Sequence, residues 1–416
     1  MTVAAGHRDN ERIARIRDAF RAEGADALLV SLPRHVLLLT GYYPVVGTSI
    51  AICTGEGQIG LLAPEDEQEF SRTGWADHTE YFHPSSLDKL TPLQAVATES
   101  LRRLAKSMGF TPSRLAIESG PESEPASYSA MNLYGSALAT IAEGVWNGVS
   151  LHDGRQMLAR LCAVKTALEL GHIRLACSIA ASAFESGRQA IQPALSEIEI
   201  ASQFSLQFAS AATSAAVDRQ HAFVYCMSGP NSAKASYAYA HSRSRKIARN
   251  DCVLVHCNSQ VNGYWTDITR TYFLGSAIAE NLNVLQVILE ARDAALAVIK
   301  PGAKASDVDR AARAVIECTG FGAGFKHAAG HGIGFRAISA HAQPRVHPKS
   351  DDLLETGMVF NLEPAIYRDG LNGIRQCEMV AVTSSGAELL TPFHSHPESL
   401  RIEVQQPVSS RRKKAS

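Results

Sequence analysis

The segment from His256 to Phe273, HCNSQVNGYWTDITRTYF, constrains the fold of this chain more than any other. Asn262–Gly263 favours a tight turn, because two-residue hairpin turns need positive φ and these two residue types tolerate it. The flanking runs, Cys252–Cys257 and Gly263–Leu274, are strand candidates rich in apolar, β-branched and aromatic residues. The turn therefore lays the strand carrying His256 beside the strand carrying Asp267. Yet Thr266 to Thr271 is polar, and Asp and Arg are seldom buried unpaired. A metal ion or an internal Asp267–Arg270 pair would account for them. So would an exposed strand face with its own salt bridge.

Around this hairpin, helices and strands alternate. Asn10 to Glu23 places Ile13, Ile16, Ala19 and Phe20 on one helical face, and Gly24 ends it. Ala27–Leu32 reads as a buried strand, Val36–Leu39 is a second apolar run, and Ile50–Cys53 with Ile59–Leu62 reads as a hairpin. A helix is expected over Leu87–Met108. The first 155 residues thus predict an α/β domain with a mixed sheet, and the glycines at 144, 148 and 154 mark its end. Residues 156–400 open with a helix over Leu168–Gln189. Ser196/Glu199 and Ser306/Asp309 have the spacing of helix-start capping pairs, and Ala279–Val298 is another long helix. Outer helices around antiparallel-compatible strands predict an α+β domain. Residues 401–416 hold the cluster Arg411, Arg412, Lys413 and Lys414 and are expected to be a disordered tail.

Two further stretches concentrate reactive groups. HAAGHGIGF, His327 to Phe335, is followed by His341 and His347, four histidines within twenty-one residues. Gly330, Gly332 and Gly334 argue for an extended or turning backbone that lets other chain come close to His331. In MVFNLEPAIY and GIRQCEMVAVT, Glu363, Cys377 and Glu378 interrupt apolar runs. If these runs are buried strands, such groups must be paired or ligating something; simple alternation could instead turn either carboxylate to solvent. Asp267, His331 and Glu363 together offer oxygen and imidazole donors suited to Zn, Mn, Fe or Co. Cys377 and His256 tilt the set toward zinc.

Bulk composition excludes other roles. Forty basic residues against 41 acidic ones leave a net charge of −1, which gives no global attraction to nucleic acid or anionic lipid. No apolar run is long enough for a bilayer crossing, and the polar N-terminus lacks a signal-peptide apolar region. Eight cysteines without a CxxC pair suit a reduced, cytoplasmic protein.

Three motifs in order, GYWTDITRTYF, GHGIG and EPAIY, make the chain resemble the creatinase/prolidase/aminopeptidase P family, the M24-type, pita-bread metallopeptidases. ERIARIRDAFRAEGADALLVSLPRHVLLLTGY resembles that family's smaller N-terminal domain, and RLCAVKTALELGHIRLA the entry into the catalytic domain. The resemblance implies a pita-bread α+β catalytic domain, a homodimer or tetramer, and hydrolysis of an amide or imide bond, commonly before proline. It also implies a two-metal site with five ligands. Asp267 matches the bridging aspartate, His331 the histidine of GHGIG, and Glu363 the glutamate of the EPxxY segment. Arg375 matches the arginine two places before the last ligand. The remaining positions differ. His256 stands where the family has the aspartate of DxG, and Cys377 where it has the glutamate of RxE, with Glu378 one place late. A strand would turn Cys377 inward and Glu378 away, although a bulge could re-aim Glu378. His241 and His341 are the candidates for the two substrate-side histidines, each reached only across an insertion.

The reading that follows is a hydrolase of the Xaa-Pro aminopeptidase or prolidase kind. It acts on a small peptide or amide through metal-activated water, with Glu363 as ligand and proton relay. The expected cofactor is one divalent ion, zinc favoured over manganese or cobalt. Two alternatives are a metal-free, creatinase-like amidinohydrolase or other C–N hydrolase, and a non-catalytic binding homologue.

Overall fold

The computed structural model describes residues 7–45, 48–84, 91–118, 136–217, 219–236, 241–276, 278–337 and 342–404. The basic cluster at 411–414 lies outside them.

The first six strands are β1 (Ala27–Val30), β2 (Ile50–Thr54), β3 (Ile59–Pro64), β4 (His78–Phe82), β5 (Arg114–Ile117) and β6 (Ser150–Asp153). They form one mixed sheet in the order β4-β3-β2-β1-β5-β6. Only β1–β2 and β2–β3 pair antiparallel. The helices of this half are α1 (Asn10–Glu23), α2 (Pro33–Thr40), α3 (Gln68–Ser71), α4 (Leu93–Met108) and α5 (Ser136–Val145). α1 begins where the Asp9 side chain accepts from Arg12 N at 2.9 Å, and it ends on Gly24 at φ 65. The apolar run Val36–Leu39 is the interior of α2, which Pro33 starts.

Next come α6 (Arg155–Ala163), α7 (Ala167–Gly187), α8 (Glu197–Ser214), α9 (Ala279–Val298) and α10 (Ala305–Cys318). α7 and α8 each open with a capping box, Thr166/Glu169 and Ser196/Glu199. The expected pair Ser306/Asp309 is not one. α10 begins two residues earlier, after the cap residue Lys304, because Ala305 N donates to Asp352 O and fixes the entry. Asp309 instead receives Arg313 and Ala329 N.

The strands here are β7 (Gln220–Ser228), β8 (Cys252–Val261), β9 (Tyr264–Leu274), β10 (Val359–Leu362), β11 (Ala365–Arg368), β12 (Asn372–Arg375), β13 (Glu378–Thr383), β14 (Gly386–Leu389) and β15 (Arg401–Ile402). They make sheets β15-β9-β8-β7, β10-β13-β14 and β11-β12. Isolated bridges, Thr269 to Cys377 and Gly332 to Phe360, tie the sheets and the GHGIG segment together. Helices cover one side, with α7 and α8 against β7–β9, so the architecture is α+β, a curled pita-bread sheet behind a separate N-terminal domain. Asn262 and Gly263 both take positive φ, 50° and 91°, and the tip packs so closely that a Cβ on Gly263 would meet Tyr43 at 2.6 Å. Among the described residues, no helix is long and apolar enough to cross a membrane.

Arg12 joins the two halves. It is fully buried, and its guanidinium pairs with Glu169 of α7 at 2.9 and 2.5 Å while donating to Leu161 O at 2.7 Å.

Candidate active site

Strand register decides which side chains can meet. In the β8–β9 pair, His256 lies opposite Thr269 and Asn258 opposite Asp267. Side chains alternate along a strand, so His256, Asn258, Asp267 and Thr269 share one face. Cys257, Ile268 and Arg270 take the other. β7 adds Phe223 and Tyr225 to the first face through their pairing with Asn258 and His256. Tyr225 stacks on His256 with centroids 6.2 Å apart, and Phe223 on Trp265 at 6.0 Å.

The GHGIG segment brings in His331. A Cβ on Gly330 would collide with Asn361 O, so glycine is required there, and His331 N donates to Asn361 Oδ1 at 2.7 Å. His331 Nδ1 faces Gly332 O at 3.1 Å. A carbonyl only accepts, so Nδ1 carries the proton and Nε2 keeps its lone pair. That Nε2 accepts from Asn361 Nδ2 at 3.3 Å and lies 3.7 Å from Asp267 Oδ2. His256 Nδ1 is 3.6 Å from the other oxygen, Asp267 Oδ1. Glu363 follows β10 with its amide held by Ala329 O at 2.8 Å, and its Oε2 lies 3.8 Å from Arg375.

Arg375 is a hub. Its Nε donates to Thr269 Oγ1 at 3.0 Å, and one terminal nitrogen donates to Tyr367 Oη at 3.3 Å. Tyr367 in turn donates to His327 Nε2 at 2.9 Å, since His327 Nδ1 is committed to Ala328 O at 2.8 Å. Burial works against the guanidinium charge, but Tyr367, Glu363 and the neighbouring Cys377 and Asp267 outweigh it and hold the pKa above its ordinary value. Burial pushes the Tyr367 hydroxyl up to about 12, so it acts as a neutral donor. Burial lowers the His256 pKa, with Asp267 pulling the other way.

Glu378 is not part of this group. It is fully buried on the opposite side, where Oε2 accepts from Arg270 and from Thr391 Oγ1, each at 2.7 Å. No bulge re-aims it: β13 starts at Glu378 in regular pairing with Leu362. Cys377 faces inward instead. The expected Asp267–Arg270 pair does not form, because the two side chains leave β9 on opposite faces. His241 is exposed, beside Ser242. His341 lies outside the described residues.

The two-metal group that the sequence resemblance implies does not fit the donors present. Among the described residues, no three His, Cys, Asp or Glu side chains form a group able to hold an ion. Burial pushes the Cys377 thiol well above its ordinary pKa, and Sγ–H donates to Asp267 O at 3.2 Å and Oδ1 at 3.5 Å. Both His256 nitrogens are engaged, by Thr269 Oγ1 at 3.0 Å and Asn258 Oδ1 at 3.2 Å.

Residues missed in the sequence are Asn258, Thr269, Asn361 and Tyr367. The first three each stand two places from a candidate that was recognised, His256, Asp267 or Glu363, so the strand period alone would have found them. Asn258 is 2% exposed, and its Nδ2 has no hydrogen-bond partner among the described residues.

Comparison with known proteins agrees with this architecture. The model of metallopeptidase family M24 matches residues 171–384, and that of the creatinase/prolidase N-terminal domain matches residues 12–122. An Xaa-Pro dipeptidase from Pyrococcus horikoshii is 27% identical over 386 residues, 92% of this chain and 97% of that protein. The X-Pro aminopeptidase structure from Thermotoga maritima superimposes with TM-score 0.75 at 22% identity, covering 93% of this chain and 100% of that one. The N-terminal domain of FACT complex subunit SPT16 from Cicer arietinum does so with TM-score 0.68 at 16% identity, covering 94% and 98%. A fold shared by an aminopeptidase and a FACT complex subunit does not by itself select an activity. The matched model spans just over half of the chain, from the first turns of α7 to the end of β13, and on that ground the chain belongs to metallopeptidase family M24.

Proposed function

We propose that this chain is a hydrolase of the prolidase and aminopeptidase P kind, cleaving an amide or imide C–N bond of a small peptide or peptide-like amide. The observation that carries the reading is the placement of Asp267, His331, Glu363 and Arg375 on one wall, with His331 Nε2 3.7 Å from the Asp267 carboxylate.

The chain's own residues suit proton transfer. A water that takes the place of Asn361 Nδ2 at His331 Nε2 can lose its proton there while its oxygen attacks the substrate carbonyl carbon. Asp267, 3.7 Å away, stabilises the imidazolium that forms. The same proton then passes to the departing nitrogen as the C–N bond breaks. Arg375 is the donor for a developing oxyanion or a substrate carboxylate, and the neutral Tyr367 hydroxyl, donating to His327, helps to position it. Phe223, Trp265 and Tyr225 supply an apolar wall for an imino-acid ring or aliphatic side chain.

The finer cofactor reading is one zinc ion taken up by Asp267, His331, Glu363 and Cys377 after they leave the positions they hold in this structure, where no three of them form a group able to hold an ion. It requires Cys377 to give up the proton that it donates to Asp267, since a coordinating thiol is deprotonated. We further place the protein in the cytoplasm as a homodimer with divisions near residues 155 and 400; all eight cysteines are free thiols, which suits that compartment.

The test pairs elemental analysis of protein purified without chelator with turnover of an Xaa-Pro dipeptide and of a small non-peptide amide. Turnover of either substrate supports the hydrolase. One equivalent of zinc, removed together with activity, supports the zinc reading, and none or two equivalents overturn it. Binding without turnover of either substrate, with or without added metal, overturns the proposal.

A further inference from the structure

His256 and Thr269 face each other across the β8–β9 pair, and Thr269 is fully buried. A buried hydroxyl has one proton to give and needs an acceptor for it. Thr269 Oγ1 has two described partners, Arg375 Nε and His256 Nδ1, each at 3.0 Å. A guanidinium only donates, so the first of these bonds is one that the hydroxyl receives. Its own proton therefore goes to His256 Nδ1. With Nδ1 accepting, the proton of the neutral imidazole stands on Nε2.

The far end of the ring agrees. Nε2 faces Asn258 Oδ1 at 3.2 Å, and an amide oxygen only accepts. Asp267 Oδ1 lies 3.6 Å from Nδ1, too far to compete as a hydrogen bond. Tyr225 lies nearly parallel to the imidazole, with 15° between the planes, and holds the ring in the plane that both bonds use. One direction thus runs through four side chains, from Arg375 to Thr269, to His256, to Asn258. A reversal at the imidazole would leave the Thr269 proton with no described acceptor.

Arg375 is where the chain meets the reaction. Its bond from Nε to Thr269 is the shortest that it makes. Nη1 has only longer contacts, with Tyr367 Oη at 3.3 Å, Ala235 O at 3.5 Å and Glu363 Oε2 at 3.8 Å. Among the described residues, Nη2 has no hydrogen bond. The Nε bond therefore sets the plane of the guanidinium, and Nη2 is left as the donor for a substrate oxygen.

We infer that His256 is a positioning residue rather than a metal ligand: held by Asn258, it takes the Thr269 proton, so that the hydroxyl presents its lone pair to Arg375 Nε and aims the guanidinium at the substrate. This role in turnover rests on the hydrolase reading above; the direction of the chain does not.

Nitrogen-15 spectra of the histidine rings in the full chain test the direction, with His256 identified as the signal lost in His256→Phe. The expected result is a proton on Nε2 and a bare Nδ1, and exchange between the two tautomers in Thr269→Val. A proton on Nδ1 in the parent overturns the inference. So does a His256 nitrogen moved to a metal-bound shift by one equivalent of zinc chloride. Turnover of an Xaa-Pro dipeptide tests the role. His256→Phe, which keeps a stacked ring, and Thr269→Val should each lower kcat/KM about tenfold, the effect of one charge-assisted hydrogen bond. Thr269→Ser restores the hydroxyl and should recover most of the loss. In an Arg375→Met background, Thr269→Val should cost no more than about twofold further, because residues that act as one unit are not additive. A second loss of about tenfold there would mean that Thr269 acts independently of Arg375, and overturns the inference. A parent without turnover refutes the hydrolase reading alone, and the tautomer then decides this one.

Discussion

Replacing Glu378 by Ala asks directly which face of β13 looks into the active site. Arg270 and Glu378 are both fully buried and 2.7 Å apart. Arg292 approaches the second Glu378 oxygen at 3.8 Å, and that oxygen also accepts from Gln376 Nε2 at 3.2 Å. Removing the carboxylate leaves Arg270 without an anion, while Arg292 keeps Asp293 at 2.8 Å. Arg270 keeps carbonyl partners in Phe393 O, Cys377 O and Thr391 O at 2.7–3.0 Å, which soften the loss without replacing the charge. Breaking a buried pair by deleting one partner costs about 3–5 kcal/mol. At about 2–4 °C per kcal/mol for a domain of this size, Tm should fall by roughly 6–20 °C. The double change Arg270→Met/Glu378→Leu should recover most of that, since a buried pair is often replaceable by apolar residues of similar volume. Differential scanning calorimetry gives the shift, and dipeptide turnover below the unfolding range gives activity. A variant that unfolds within about 1 °C of the parent but loses turnover would place Glu378 in the site and refute the register argument.

Asp267→Asn keeps the shape and removes the charge facing His331, so turnover should fall by about 10²–10⁴-fold with the fold intact; unchanged turnover would remove Asp267 from the chemistry. Asn258→Ala should raise KM roughly tenfold with kcat within about twofold, the signature of lost uniform binding, and an unchanged KM would leave the unpartnered amide without a role. His172 lies flat on Tyr264, centroids 4.8 Å apart, and burial lowers its pKa. A depressed folded pKa gives stability that is present above the unfolded value, about 6.5, and lost as pH falls toward the folded one. In urea titrations at about pH 7.5 and pH 5, His172→Phe should therefore lose less stability on acidification than the parent; parallel losses would contradict this.

Much of the architecture was legible in the chain because it is written in local terms. The β8–β9 hairpin follows from Asn262–Gly263, whose positive φ is a property of those two residues. The bounds of α1 follow from Asp9 and Gly24, and the start of α8 from Ser196 and Glu199, each acting within one turn. The inward direction of Cys377 and the outward direction of Glu378 follow from the strand period, once β13 is known to be regular. The same period, applied to His256, Asp267 and Glu363, would also have reached Asn258, Thr269 and Asn361, which the sequence reading passed over.

What sequence could not decide was long-range pairing. Glu378 could be read as a metal ligand until tertiary structure set Arg270, 108 residues away, against it. Asp267 and Arg270 could be read as partners until the strand turned them to opposite faces. Ser306 and Asp309 had the spacing of a capping pair, but the backbone bond from Ala305 to Asp352 fixed the helix start elsewhere. Lys165 read only as part of a family-like segment. Its burial beside Arg34 and Arg336 exists because two domains close over it, and no local pattern encodes the contacts of chain segments more than a hundred residues apart. Strand period and turn chemistry are properties of neighbours and belong to the sequence; which charge meets which across the fold is a property of packing, and only the tertiary structure decided it.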